Sequence, residues 1–253
     1  MNKNINKYIK KKKRNRKIKR ITLGLFVIII GIIIFVYKAP LFNLKKINIT
    51  GLVSLTNDSV QEVLKYEIGQ NIFTIDYKEM EKNLMSNPYI EKVKISKKGL
   101  NQLNINIEES KIGFYIEKDG KFYTINNEGQ IIEELTDLID KKLINIYDID
   151  ITNKKIGDKI SEDNNLYDVL NEFYKMKEVL PEEYTIDKIG IKDLSKIKCY
   201  VKEVEIIIGD RFEMKDKMNL ALNAIEQGVI KKGYIDMSFN GTPVIKEEKL
   251  KED

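Results

Sequence analysis

Histidine and tryptophan are absent from this 253-residue chain, and cysteine occurs once. Each absence narrows the chemistry. Without histidine the chain lacks the side chain most often used as a general base near neutral pH. With no histidine and one cysteine, the donor set of a structural or catalytic zinc site is also missing. A single cysteine allows no intrachain disulfide. Within Ile197-Lys198-Cys199-Tyr200-Val201 it reads as a small apolar core residue of a strand, not as a nucleophile. Glycine-rich phosphate loops are missing as well, since Gly209 and Gly241 stand alone as turn residues. Four Glu-Glu pairs occur, Glu108-Glu109, Glu133-Glu134, Glu182-Glu183 and Glu247-Glu248. Neighbours in a strand point to opposite faces, so such a pair cannot act jointly on one substrate atom. The residues therefore point away from an enzyme, and no cofactor or metal site is expected.

Acidic residues are also absent from positions 1–20, which hold 11 Lys and Arg. Subtracting those 11 from the 44 Lys and Arg leaves 33 against 39 Asp and Glu, a net −6 beyond the tail in a chain that is +5 overall. A basic tail joined to a mildly acidic body does not suit a nucleic-acid binder, and no nucleic-acid partner is expected. The next 17 residues, ITLGLFVIIIGIIIFVY from Ile21 to Tyr37, contain no charge, Pro, Asn or Gln. As a helix rising about 1.5 Å per residue they would reach roughly 25 Å, the short end of a bilayer core. The basic flank places the N-terminus in the cytoplasm and the rest of the chain outside it. A cleavage site for a signal peptide would need small residues where the chain has Tyr37-Lys38-Ala39-Pro40, so the run reads as an uncleaved anchor.

After the anchor, LFNLKKINIT at 41–50 alternates as a strand and stops at Gly51. Ser59 and Glu62 have the spacing of a capping box, with Thr56 an earlier possible start; Val60, Val63 and Leu64 repeat at helical spacing toward Gly69. Asp76 and Glu79 open a second helix with Tyr77, Met80 and Leu84 on one face, and Asn87-Pro88 stops it. Ile90, Val93 and Ile95 mark one strand, and Leu103, Ile105 and Ile107 a second, turning at Lys98-Gly99. From Lys111 short strands follow at 112–117, 121–125, 130–134 and 143–149. An amphipathic helix is expected through Leu166, Val169, Leu170, Phe173 and Leu180. Strands at 186–191, 197–201 and 204–208 then precede a helix through Met214, Met218, Ala221, Leu222, Ile225 and Val229. A last strand runs from Tyr234 to Phe239, and the residues from Val244 read as a charged, disordered tail.

The strand-helix-helix-strand-strand order beside an anchor, with the wording Asn87-Pro88-Tyr89-Ile90, resembles a POTRA domain, a non-catalytic module of protein transport and assembly. FYTINNEGQII at 122–132, VEIIIGDRFEMKDKMNLALNAI at 204–225 and GYIDMSFNGTPVI at 233–245 are similar to three blocks of the FtsQ/DivIB family of bacterial division proteins. The resemblance covers essentially the whole chain. It departs where many members have Arg and this chain has Ser238.

The resemblance implies an α+β chain: basic cytoplasmic tail 1–20, membrane helix 21–37, POTRA domain 38–110 (β-α-α-β-β), mixed β-rich domain 111–240 and charged tail 241–253. It implies a non-enzymatic scaffold of the division complex in the plasma membrane at the septum. The partners it implies are bitopic proteins of the FtsB/DivIC and FtsL type, with peptidoglycan a further possible contact. Carried onto this chain, the contact would use Tyr234, Ile235, Asp236, Met237, Ser238, Phe239 and Asn240. That segment is expected to be a sheet edge open to a partner's strand, or else to pack the domain's own sheet. Two other readings stay open on the sequence, a POTRA-type translocation or secretion accessory and a membrane-anchored cell-wall binding protein.

Overall fold

The computed structural model describes residues 3–64, 68–139, 141–239 and 241–248. The chain divides into two compact units, residues 1–84 with 93–107, and residues 85–92 with 108–253.

The first unit opens with α1 (Lys3–Lys38), a continuous helix. Its segment Arg14–Lys38 is long and apolar enough to cross a membrane. The helix extends into the basic tail because Lys and Arg are good helix formers and nothing in the tail breaks the backbone. A 3₁₀ turn at Pro40–Phe42 leads to β1 (Lys46–Thr50), α2 (Asn57–Leu64), α3 (Tyr77–Met85), β2 (Ile90–Lys98) and β3 (Gln102–Glu109). Of the two possible starts of α2 the structure selects the earlier. The Thr56 hydroxyl accepts from the Ser59 amide at 3.2 Å, while the Ser59 hydroxyl donates back to the Thr56 carbonyl. The end of α2 toward Gly69 lies partly outside the described residues. Asp76 caps α3 as its position suggests, accepting from the amides of Lys78 and Glu79 at 2.9 and 3.1 Å.

The sheet order is β1-β3-β2, with β1 parallel to β3 and Ile47 opposite Leu103, Ile49 opposite Ile105. Parallel neighbours require a crossover, which α2 and α3 provide. Leu44, Val60, Leu64, Ile72, Ile75, Met80, Leu84, Leu103, Ile105 and Ile107 are all buried. The expected stripe on β2 is shallower than the sequence suggests. Val93 and Ile95 are only half-buried because β2 is an edge strand.

The second unit holds β4 (Ile112–Lys118), β5 (Lys121–Asn126), β6 (Ile131–Leu135), β7 (Ile144–Ile146), α4 (Asn164–Val179), β8 (Ile186–Gly190), β9 (Ile197–Val201), β10 (Glu203–Gly209), α5 (Met214–Glu226), β11 (Lys232–Asp236) and β12 (Val244–Glu247). Among the described residues these strands form one sheet ordered β12-β11-β10-β9-β8-β7-β4-β5-β6. The neighbours β4-β7, β7-β8 and β10-β11 are parallel. Asp163 caps α4 by accepting from the Asn165 amide, three residues before Leu166, the first apolar residue of the helical stripe. Leu166, Leu170 and Phe173 of α4 join Met214, Met218 and Ala221 of α5 over Ile189, Cys199, Val201, Val204, Ile206 and Ile208 of the sheet. The alternation of β9 and β10, buried on one face and half-exposed on the other, follows from helices covering a single face.

β12 corrects the sequence reading. The stretch read as a disordered tail from Val244 pairs antiparallel with β11 through Glu247, and only residues 249–253 of it lie outside the described residues. All four β12 side chains are exposed. The strand is held by backbone hydrogen bonds, so no buried stripe marks it in the sequence. With β12 in place, β11 is not the edge of the sheet.

Candidate partner-binding surface

β11 lies between β10, to which it is parallel, and β12. The residues of β11 and of the segment that follows it have different fates. Ile235 and Met237 are buried in the core of the second unit, with Met237 donating its amide to the Ile207 carbonyl at 2.8 Å. Met237 thus packs the domain's own sheet, the second of the two readings of this segment. Asp236 accepts from both the amide and the hydroxyl of Ser238, at 2.9 and 2.7 Å. Tyr234 is half-exposed, with the Lys246 ammonium 5.9 Å from its ring centroid. Phe239 is 46 % exposed. Asn240 lies outside the described residues.

Two glycines shape this end of the sheet. Gly233 has φ 130°, and a Cβ there would overlap the Lys246 carbonyl oxygen, so a side chain would push β12 away. Gly209 has φ 81°, and a Cβ there would stand 2.7 Å from Cα of Ser238. Lys217 of α5 reaches the same corner, donating to the Ile208 carbonyl at 2.9 Å and pairing with Asp210 at 3.2 Å.

The outer side of β12 carries no paired strand among the described residues. The Glu248 amide donates to the Lys232 carbonyl at 2.9 Å, which sets the phase of the ladder. Bonded and non-bonded pairs alternate in an antiparallel ladder, so the peptide groups of Val244 and Lys246 face β11 and those of Ile245 and Glu247 face outward. The opposite edge, β6, is closed differently. The Ile131 amide donates to the Asp158 carbonyl and its carbonyl accepts from Gly157. Glu133 and Glu134 are ion-paired with Lys141 and Lys121. Charge and a covering loop are the usual protections of a sheet edge, and β12, with Val244 and Ile245 exposed, is the less protected one.

Elsewhere the described residues hold little that could do chemistry. No group of three His, Cys, Asp or Glu side chains is placed to hold a metal ion. Cys199 is fully buried with its Sγ 3.4 Å from Sδ of Met218, and burial pushes its thiol pKa well up. Ser195 and Lys198 have a Ser-x-x-Lys spacing that the sequence reading passes over. The Ser195 hydroxyl donates to Asp193 at 2.7 Å, and the Lys198 ammonium to Glu205 at 2.9 Å. A cleft of about 510 Å³ lined by Tyr115, Leu143, Leu180, Thr185 and three lysines has each lysine matched by a glutamate, Lys141 by Glu133, Lys142 by Glu182 and Lys177 by Glu178.

Comparison with known proteins decides the family. A model described as "POTRA domain, FtsQ-type" matches residues 42–110. The cell division protein DivIB of Clostridium botulinum strain Hall is 32 % identical over 250 residues, covering 96 % of each chain. The chain belongs to the FtsQ/DivIB family. The DivIB of C. botulinum strain Loch Maree is 31 % identical over 96 % of each chain, and that of C. acetobutylicum 31 % over 82 % of this chain and 84 % of its own.

The three FtsQ/DivIB blocks now have physical content. In the first, the Asn126 carboxamide accepts from the amides of Glu128 and Gln130 at 3.0 and 2.8 Å, Asn127 donates to Asn171 of α4, and the Tyr167 ring packs on Gly129. In the second, Gly209 and Lys217 build the corner described above. In the third, Ser238 satisfies Asp236 locally. The sequence reading missed Val244 and Ile245; Gly233, an isolated glycine at the start of the neighbouring strand and a sign of close backbone approach, was the available signal. It also missed a cluster on the sheet face opposite the helices. There Tyr147 and Tyr200 meet edge to face at 6.0 Å, and Lys188 sits 4.2 Å from the Tyr200 centroid.

Proposed function

We propose that this chain acts in bacterial cell division as a non-enzymatic scaffold of the division complex. α1 anchors it in the plasma membrane at the septum, with the basic tail in the cytoplasm and both folded units outside. The second unit captures bitopic partners of the FtsB/DivIC and FtsL type by accepting a strand on β12, with Tyr234, Ser238 and Phe239 as the accessible neighbours of that edge. The observation that carries this reading is the open outer side of β12, whose Ile245 and Glu247 peptide groups face outward beside exposed Val244. Unpaired backbone donors and acceptors give affinity to an added strand, and alternate side chains give specificity. The family relationship supports the division role; the names of the relatives say no more than cell division protein.

The test is Ile245→Pro, which removes an outward amide and leaves the β11-β12 bonds in place. Binding of a DivIC-type partner should weaken by about tenfold or more, the scale of one or two lost hydrogen bonds. Unchanged binding would remove β12 as the docking edge. Phe239→Asp probes the neighbouring surface; Met237→Asp is unsuited, because Met237 belongs to the core.

A further inference from the structure

We propose that the first unit seats on the bilayer through a collar at the carboxyl end of α1, formed by Leu41, Phe42, Phe73 and Lys97, with lipid phosphate as the ligand of Lys97. The inference rests on reading α1 as the span and is independent of the strand-capture reading of β12.

The apolar run ends at Tyr37, so the carbonyls of Val36 and Tyr37 lie at the boundary between hydrocarbon and headgroups. Asn71 reaches those two carbonyls. Its Nδ2 donates to Val36 at 2.8 Å and to Tyr37 at 3.2 Å, while its Oδ1 accepts from the Phe73 amide at 2.9 Å. A helix end with unsatisfied carbonyls is thereby capped by a side chain from a segment 34 residues later in the chain. The same segment is laced to the linker: the Ile72 amide donates to the Phe42 carbonyl, the Leu44 amide to Gln70, and the Gly69 amide to Leu44. The linker is therefore not a loose tether.

These bonds set the depth of the neighbouring side chains. Phe42 meets Phe35 of the span edge to face at 6.3 Å, and Phe73 meets Phe42 at 5.4 Å. Phe35 is inside the apolar run, so Phe42 and Phe73 stand at headgroup level, where aromatic rings are favoured. Phe73 and Leu41 are 43 % and 51 % exposed, an uncovered apolar surface continuous with the span. Lys97 places its ammonium 4.4 Å from the Phe73 centroid and 5.1 Å from that of Tyr77, at the level where phosphate oxygens lie. A bilayer is the occupant that meets apolar rings and a cation in this order of depth.

The absence of tryptophan makes the test direct. Phe73→Trp, Tyr37→Trp and Val53→Trp versions of the full chain, each with one reporter, are placed in phosphatidylcholine-phosphatidylglycerol vesicles containing a headgroup-nitroxide lipid. Val53 is 91 % exposed and lies beyond the far end of the five-residue β1, about 16 Å further along the chain at strand rise. The reporter at 73 should be quenched several-fold more than that at 53 and comparably to that at 37. Adding Lys97→Glu should lower the quenching at 73, with circular dichroism unchanged. Quenching at 37 but not at 73 would overturn the collar. No quenching at 37 would overturn the span reading and the collar with it. Quenching at 73 that is indifferent to Lys97→Glu would overturn phosphate as the ligand.

Discussion

Asn126 shows how much a single polar side chain carries in the second unit. It is 2 % exposed, and its carboxamide oxygen takes two backbone amides that would otherwise be orphaned in the turn before β6. Asn126→Ala should cost about 1–3 kcal/mol, the desolvation penalty of a buried donor left without its acceptor. Chemical denaturation of the purified chain would measure it. A cost near zero would mean that water replaces the carboxamide. Cys199 makes a second prediction at this scale. Burial in the core raises its thiol pKa, so at mildly alkaline pH the thiolate needed for reaction is not formed in the native state. Labelling by a disulfide reagent should therefore be negligible in the folded chain and rapid in denaturant. Fast native labelling would contradict the burial of β9 beneath α5. Ser238 and Met237 show the limit of reading residues singly. Both fall in the predicted contact segment, yet one closes a bond to Asp236 and the other fills the core.

Elements decide what residues cannot. β12 exists because Gly233 lets its backbone approach β11, and substituting Gly233 with Val should detach it. The Glu248 amide, bonded to the Lys232 carbonyl, should then lose hydrogen-exchange protection while α5 amides keep theirs. Retained protection would show that β12 is held by something other than this ladder. The helices were legible because their apolar residues recur every three or four positions, as in Leu166, Val169, Leu170 and Phe173, all of them buried. The hairpin β2-β3 was legible from its turn residues, Lys98-Gly99, and Asp119-Gly120, both at positive φ, is a turn signal of the same kind between β4 and β5. β12 was not, because its four side chains are all exposed and only its backbone is engaged. β7 proved to be three residues where alternation suggested seven. The Tyr147 amide still donates to Ile189 of β8, but from Asp148 the side chain replaces the ladder, its carboxylate accepting from the amides of Ile191 and Lys192.

For the whole molecule, acid sensitivity follows from the carboxylates of the second unit. Glu133 and Glu205 are pushed upward by burial, but bonds from Lys141 and Tyr89 to the first, and from Lys198 and Tyr200 to the second, outweigh it and leave both pKa values lowered. A folded pKa below the unfolded one means that the unfolded chain binds more protons between the two values. Stability from these groups is full above the unfolded pKa of about 4.3 and is lost as pH falls through the folded value. The melting temperature should therefore hold from neutral pH to about 5 and fall below about 4.3, with Glu133→Gln and Glu205→Gln together flattening the fall. A melting curve that is indifferent to acid would remove these pairs as determinants of stability. At the scale of the cell, a fluorescent N-terminal fusion should concentrate in a midcell band as constriction proceeds. Uniform membrane signal from an intact fusion would remove the division role.

What the amino-acid order determined by itself was local. A charge-free run behind 11 basic residues specifies a span, and periodic apolar residues specify helices and hairpins, because period and turn chemistry act over a few residues. The parallel pairings β1-β3, β4-β7, β7-β8 and β10-β11 were left to the tertiary structure. So were the edge position of β12, the burial of Met237 and the capping of α1 by Asn71. Each of these depends on backbone groups, or on one side chain meeting a partner far along the chain. Such meetings leave no period in the sequence, since they are selected by the packing of the whole unit.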